Sequence, residues 1–323
     1  MPWRESEAEL ERARAEQPVT IATPAGTMFG IYTPPDPSAP ASAHAVILFT
    51  RPRSHRNRMW VEGARRLATL GFPAFRFDYH GSGDSEGESG FLDPNTPYRD
   101  DANAVIRTLR ERFGHSRFLV LGACFDARTA LSSFVDESAA VDGLVFFAAP
   151  VMELETLVKA HADHKDWKHL LRALRNPENW RTLVDPERWK YMATVVGRVA
   201  RRHLPRGAPA NDTPLADSFV QHFQALAKSG KRALFVYGDA DPEYVSFQVA
   251  LQTVFPRLSP EARERLEVEV WEGDVHGFLN MALQRRSLER AIEWIRQFHP
   301  RESAGTQERA GSSAQVAENG KAH

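Results

Sequence analysis

The chain has 323 residues, 42% of them hydrophobic, and a formal net charge of −1. This suits one large α/β domain with an insertion, or two domains, and gives no global attraction to nucleic acid or acidic membranes. A single cysteine excludes an internal disulfide framework and fits a reducing compartment. The N-terminus lacks a secretory-type apolar stretch, and no apolar run is long enough to span a membrane, so a cytoplasmic protein is expected.

Residues 1–17 read as a charged helical extension. Two strand-like runs, 19–22 and 28–32, flank Thr23-Pro24-Ala25-Gly26-Thr27 and predict a β-hairpin. A Pro/Ala/Ser-rich loop over 34–42 leads to an apolar run at 46–49, consistent with a buried strand. Helical periodicity over 60–70 stops at Gly71. A strand at 74–77 runs into the glycine-rich loop 78–87. A helix over 98–113, a strand at 118–121, a helix over 124–134 and a strand at 143–147 follow. Such alternation argues for a parallel sheet covered on both faces.

After Pro150 the alternation stops. Residues 151–230 are rich in Trp, Arg, His and Leu, with Trp167, Trp180 and Trp189 in helix-like segments broken by Pro177 and Pro186. This predicts a helical lid whose tryptophans anchor packing or line an acyl pocket. His161, His164 and His169 are too loosely spaced for a metal site. Strands at 233–237 and 266–270, with a helix over 244–255 between them and a last helix over 281–298, resume the core. The core is therefore split into 18–150 and 231–299, and the polar tail 300–323 is expected to be disordered.

The most informative stretch is Gly122-Ala123-Cys124-Phe125-Asp126-Ala127. An apolar run ends there, an amphipathic helix begins, and the sole cysteine sits at the corner, where a nucleophile elbow puts its reactive side chain. Gly238-Asp239-Ala240-Asp241-Pro242 and Asp274-Val275-His276-Gly277 each follow a strand, in the order nucleophile, acid, histidine.

On these motifs, with the loop Asp78-x-x-Gly81-x-Gly83-x-Ser85-x-Gly87, residues 19–298 resemble the α/β-hydrolase fold superfamily, in its serine-aminopeptidase-like (S33) and thioesterase-like branches. The resemblance implies a mostly parallel central sheet flanked by helices, with a helical lid insertion. It implies Cys124 as nucleophile, His276 as base and Asp241 as the acid that orients it, with Asp239 as the second choice. The Asp78–Gly87 loop has a structural role in this reading. Three departures stand out: cysteine replaces the elbow serine, Asp126 replaces the second glycine, and Phe49-Thr50-Arg51-Pro52-Arg53 stands where the family has His-Gly. The oxyanion donors expected are the N–H groups of Phe125 and Arg53, since Pro52 has none to give. Asp126 caps its helix and opposes thiolate formation, while the helix N-terminus and His276 favour it.

A thiol nucleophile forms a thioester intermediate, so exchange with another thioester is close to thermoneutral and amide cleavage is disfavoured. Arg51, Arg53, His55, Arg56 and Arg58 cluster on the loop that should rim the site, and the lid adds Arg198, Arg201, Arg202, His203 and Arg206. Guanidinium forks suit phosphate and carboxylate, which makes Arg51 and Arg56 candidate contacts for CoA or an acyl carrier protein. The expected function is thioesterase or acyltransferase chemistry on such acyl groups, with no cofactor and no metal. The alternatives are a carboxylester or lactone hydrolase, with an incidental basic loop, and a non-catalytic binding relative, favoured by Asp126 and the missing His-Gly.

Overall fold

The computed structural model describes residues 15–87, 98–152 and 215–298. Most of the N-terminal extension, most of the expected lid with its tryptophans, histidines and arginines, and the C-terminal tail lie outside the described residues.

The strands are β1 (Gln17–Thr23), β2 (Gly26–Thr33), β3 (His44–Phe49), β4 (Ala74–Asp78), β5 (Arg117–Ala123), β6 (Val141–Phe147), β7 (Arg232–Gly238) and β8 (Leu266–Trp271). They form one sheet in the order β1-β2-β4-β3-β5-β6-β7-β8. β1 pairs antiparallel with β2, and β2 with β4, while the pairs from β4 through β8 are parallel. This is the expected mostly parallel α/β-hydrolase sheet. Its central strands are continuous apolar runs because both faces are covered: all seven residues of β6 are buried.

The helices are α1 (Met59–Thr69), α2 (Arg99–Phe113), α3 (Phe125–Glu137), α4 (Asp217–Lys228), α5 (Pro242–Thr253), α6 (Pro260–Arg265) and α7 (Met281–Arg296). Helices α2, α3, α4 and α5 bury their apolar stripes on one face of the sheet, and α1 and α7 on the other. Helix α4 falls inside the segment expected to be lid, yet Phe219, Phe223 and Leu226 are buried in the main core. Their spacing of four and three residues makes one apolar stripe, so the lid boundary drawn at 230 is too late. No helix among the described residues is long and apolar enough to cross a membrane.

Register brings the chemistry to one edge. Phe49 of β3 pairs with Gly122 of β5, Gly122 with Phe146 of β6, and Gly238 of β7 with Trp271 of β8. The loops that leave these strands therefore open at the same end of the sheet. Gly122 also lets α3 approach its own strand. A Cβ there would lie 2.7 Å from Ala127 Cα and 2.8 Å from Ala127 N, both rigid backbone atoms. Gly122→Ala should cost about 1–3 kcal/mol, seen as a lower urea midpoint with an unchanged slope. A midpoint equal to that of the parent would show that the elbow tolerates the extra methyl.

Candidate active site

Cys124 sits between β5 and α3 at φ 53 and ψ −128, a backbone conformation that side-chain-bearing residues rarely adopt. Its N–H donates to Phe147 O at 2.8 Å, which fixes the turn against β6. Among the described residues six non-glycine residues have positive φ, and four of them, His55, Cys124, Ala148 and Phe278, line one cavity of about 220 Å³. Backbone strain concentrated around one cavity is characteristic of functional sites.

His276 faces the thiol, with Cys124 Sγ 3.7 Å from His276 Nε2. The Nδ1 atom of the same ring lies 2.7 Å from Glu243 Oε1. The Glu243 side chain is fully buried, at the second position of α5 behind Pro242. Burying a carboxylate is costly without a polar partner, and the helix N-terminus and the imidazole both favour its charge.

The carboxylate at Nδ1 is therefore Glu243 and not the expected Asp241. Asp241 is also buried, but it grips main chain: Oδ2 accepts from Gly238 N–H at 2.6 Å, and Oδ1 from the N–H groups of Val275 and His276 at 2.8 Å each. Asp239 does likewise at the rim, accepting from Gly273 N–H at 2.7 Å. Both aspartates staple the acid loop to the histidine loop. Glu243 is the site residue that sequence reasoning missed. Its signal, a carboxylate after Pro at a helix start, reads equally well as a helix-start device.

The expected oxyanion pair is half changed. Phe125 opens α3, so its N–H has no partner within the helix, and it lines the cavity. The Arg53 N–H is not available, because it donates to Asp78 Oδ1 at 2.9 Å. The Arg53 guanidinium also pairs with Asp78 and Asp84, so this residue is structural. Asp78 attracts it because a buried carboxylate needs donors.

Of the basic rim cluster, Arg51 and His55 line the cavity, whereas Arg56 and Arg58 are exposed. Arg51 Nε donates to Asp126 Oδ1 at 2.7 Å. Burial pushes the Asp126 carboxyl up, and Arg51, through guanidinium and backbone amide, pulls it back. Burial also pushes the Cys124 thiol up, with Glu243 and Asp126 adding to it and His276 opposing. For His276, burial disfavours the cation, but Cys124 and Glu243 outweigh it and its pKa rises. Asp241 is pushed up to about 7 by burial and by Asp274, against its backbone donors. Cys124, His276 and Glu243 have ligand atoms within 4.8 Å of one another.

A cysteine on a strand-to-helix elbow, a histidine after β8 and a buried carboxylate, on a sheet of this order, fit the α/β-hydrolase class. Residues 40–242 match the serine aminopeptidase S33 family, and the chain belongs to this family of hydrolases. Similar solved structures include an esterase of Pyrococcus furiosus (16% identity, 92% of this chain and 95% of that one, TM-score 0.57). Others are a proline iminopeptidase of Mycobacterium smegmatis (14%, 87% and 98%, TM-score 0.54) and a thermostable carboxyl esterase of Bacillus coagulans in complex with glycerol (14%, 88% and 99%, TM-score 0.54). At these identities the likeness is one of fold. No curated protein matches the chain.

The electrostatics give a pH expectation. One proton must leave the thiol–imidazole pair before sulfur can attack, and both groups are shifted upward. The first deprotonation of the pair therefore lies above the 6.5 of an ordinary histidine. Alkylation of Cys124 by iodoacetamide should rise with pH on the alkaline side of that value. Glu243→Gln removes a negative charge beside both groups, which lowers both pKa values and moves the limb to lower pH. Rates measured from about pH 5 to 10 check this. A limb that stays in place in Glu243→Gln would exclude Glu243 as the partner of His276.

Proposed function

We propose that this protein is an acyl-transfer enzyme that acts on an ester or thioester through an acyl-Cys124 intermediate. The observation that carries the reading is the thiol–imidazole–carboxylate series Cys124–His276–Glu243 on a strained elbow facing a cavity. Cys124 is the nucleophile, His276 the base and Glu243 the group that orients the imidazole and balances its charge. Phe125 N–H supports the oxyanion.

His276 Nε2 takes the Sγ proton as sulfur bonds to the acyl carbon, and the carbonyl electrons move onto oxygen. The oxyanion collapses, the bond to the leaving alkoxide or thiolate breaks, and Nε2 returns the proton to it. Water or a second nucleophile then attacks the acyl-cysteine, with His276 again as base, and frees the thiol.

Two observations favour thioesters and activated esters over amides. A thiol that holds its proton gains little from a poor leaving group, and the Arg51 and Arg53 amides both support carboxylates instead of an oxyanion. CoA or an acyl carrier protein as donor is part of the proposal. Exposed Arg56, at the rim, is then the contact for its phosphate or acidic surface. Plain carboxylester hydrolysis is the second reading, favoured by a cavity that is small and enclosed by apolar groups such as Phe147, Val275 and Phe278.

Intact-protein mass spectrometry with a panel of acyl thioesters and activated esters tests the reading. A one-acyl mass gain is expected, absent in Cys124→Ala and longer-lived in His276→Ala. Glu243→Gln should lower turnover by about 10²- to 10⁴-fold. No adduct and no turnover with any donor would leave Cys124 an inert thiol and the protein a binding relative of the family.

A further inference from the structure

The basic cluster on the β3 loop divides by direction. Arg53 is occupied by Asp78 and Asp84, and Arg56 and Arg58 face solvent. Arg51 alone among these arginines lines the cavity that holds Cys124. Its guanidinium is fixed on three sides. Nε is tied to Asp126 Oδ1 at 2.7 Å, and Cζ lies 5.3 Å from the Tyr79 ring centre and 5.5 Å from that of Tyr98. Among the described residues no acceptor is paired with its two terminal amino groups.

A guanidinium whose plane is held by one carboxylate and two rings has lost its rotamer freedom in advance. Binding an anion on the terminal pair then costs little further entropy, and the geometry of that pair matches a carboxylate. Asp126 takes the Nε edge of the guanidinium, which leaves the terminal pair as its open donor edge.

Resting on the acyl-cysteine reading, we infer that Arg51 binds a carboxylate on the acyl half of the substrate, so that the substrate is a short dicarboxylic half-ester or half-thioester. The anion must be on the acyl half because of reach. The phosphates of a CoA or pantetheine donor sit at the far end of a long arm on the leaving-group side, whereas Arg51 lines the same small space as the nucleophile. That space, about 220 Å³, is lined by Arg51 and Cys124 together.

The test compares the succinyl thioester of a simple aryl thiol with its succinamoyl analogue, in which a neutral amide replaces the carboxylate. The leaving group carries no phosphate, so any preference belongs to the acyl end. The parent protein should favour the succinyl compound in kcat/KM by about 10- to 100-fold. In Arg51→Gln the ratio should fall to about one, and in Arg51→Lys, which keeps the charge without the fork, to an intermediate value. A parent ratio near one, or a ratio unchanged in Arg51→Gln, would overturn the inference. Calorimetry of the same compounds with Cys124→Ala, with and without Arg51→Gln, separates binding from chemistry. Selective binding of the succinyl compound that is lost with Arg51 sustains the inference even if neither compound turns over. Equal binding, or no binding of either, overturns it, and turnover alongside equal binding leaves the acyl-cysteine reading standing.

Discussion

Asp241 is the constraint on which the site depends. Its carboxylate takes three main-chain N–H groups, one from the end of β7 and two from the loop after β8, and so closes two separate strand ends into one rigid unit. Three hydrogen bonds on one buried side chain, out of water, fix the two strand ends relative to each other. Close packing reinforces them, since a Cβ on Gly238 would fall 2.2 Å from Gly273 O. Because Asp241 is committed to the backbone, the carboxylate beside the imidazole is a second one, Glu243, in the first turn of the next helix. Two acids thus divide what one often does: the first places the histidine main chain, the second orients its ring.

Much of this was legible in the amino-acid order. The buried strands are uninterrupted apolar runs, and the elbow is marked by a glycine, a lone cysteine and the onset of a helical pattern. His276 follows a strand and precedes a glycine. The misassigned acid has a physical origin. Asp239, Asp241 and Glu243 lie within five residues, and which of them meets an imidazole depends on loop closure by amides about 34 residues away, beyond any local pattern. Arg53 failed for a similar reason: its N–H is taken by Asp78, 25 residues on, across the sheet edge. Helix α4 was hidden by its neighbourhood, because the strandless segment before it extended the apparent insertion into a core element.

Asp126 ties the departures from the family pattern together. It stands where the elbow usually has glycine, and the cost of burying its carboxylate is offset by Arg51, which occupies the loop where His-Gly is absent. The two substitutions are one change seen from two strands. Each would leave an uncompensated charge without the other, so they are expected to couple strongly in a double-mutant cycle.

The raised thiol pKa has a consequence away from catalysis. Hydrogen peroxide oxidises thiolates and reacts slowly with thiols. A cysteine whose pKa is raised by burial presents less thiolate to dissolved oxidants, and the buried carboxylates of Glu243 and Asp126 repel the anion that would have to form. The same charges therefore shield the sulfur of this elbow from oxidation.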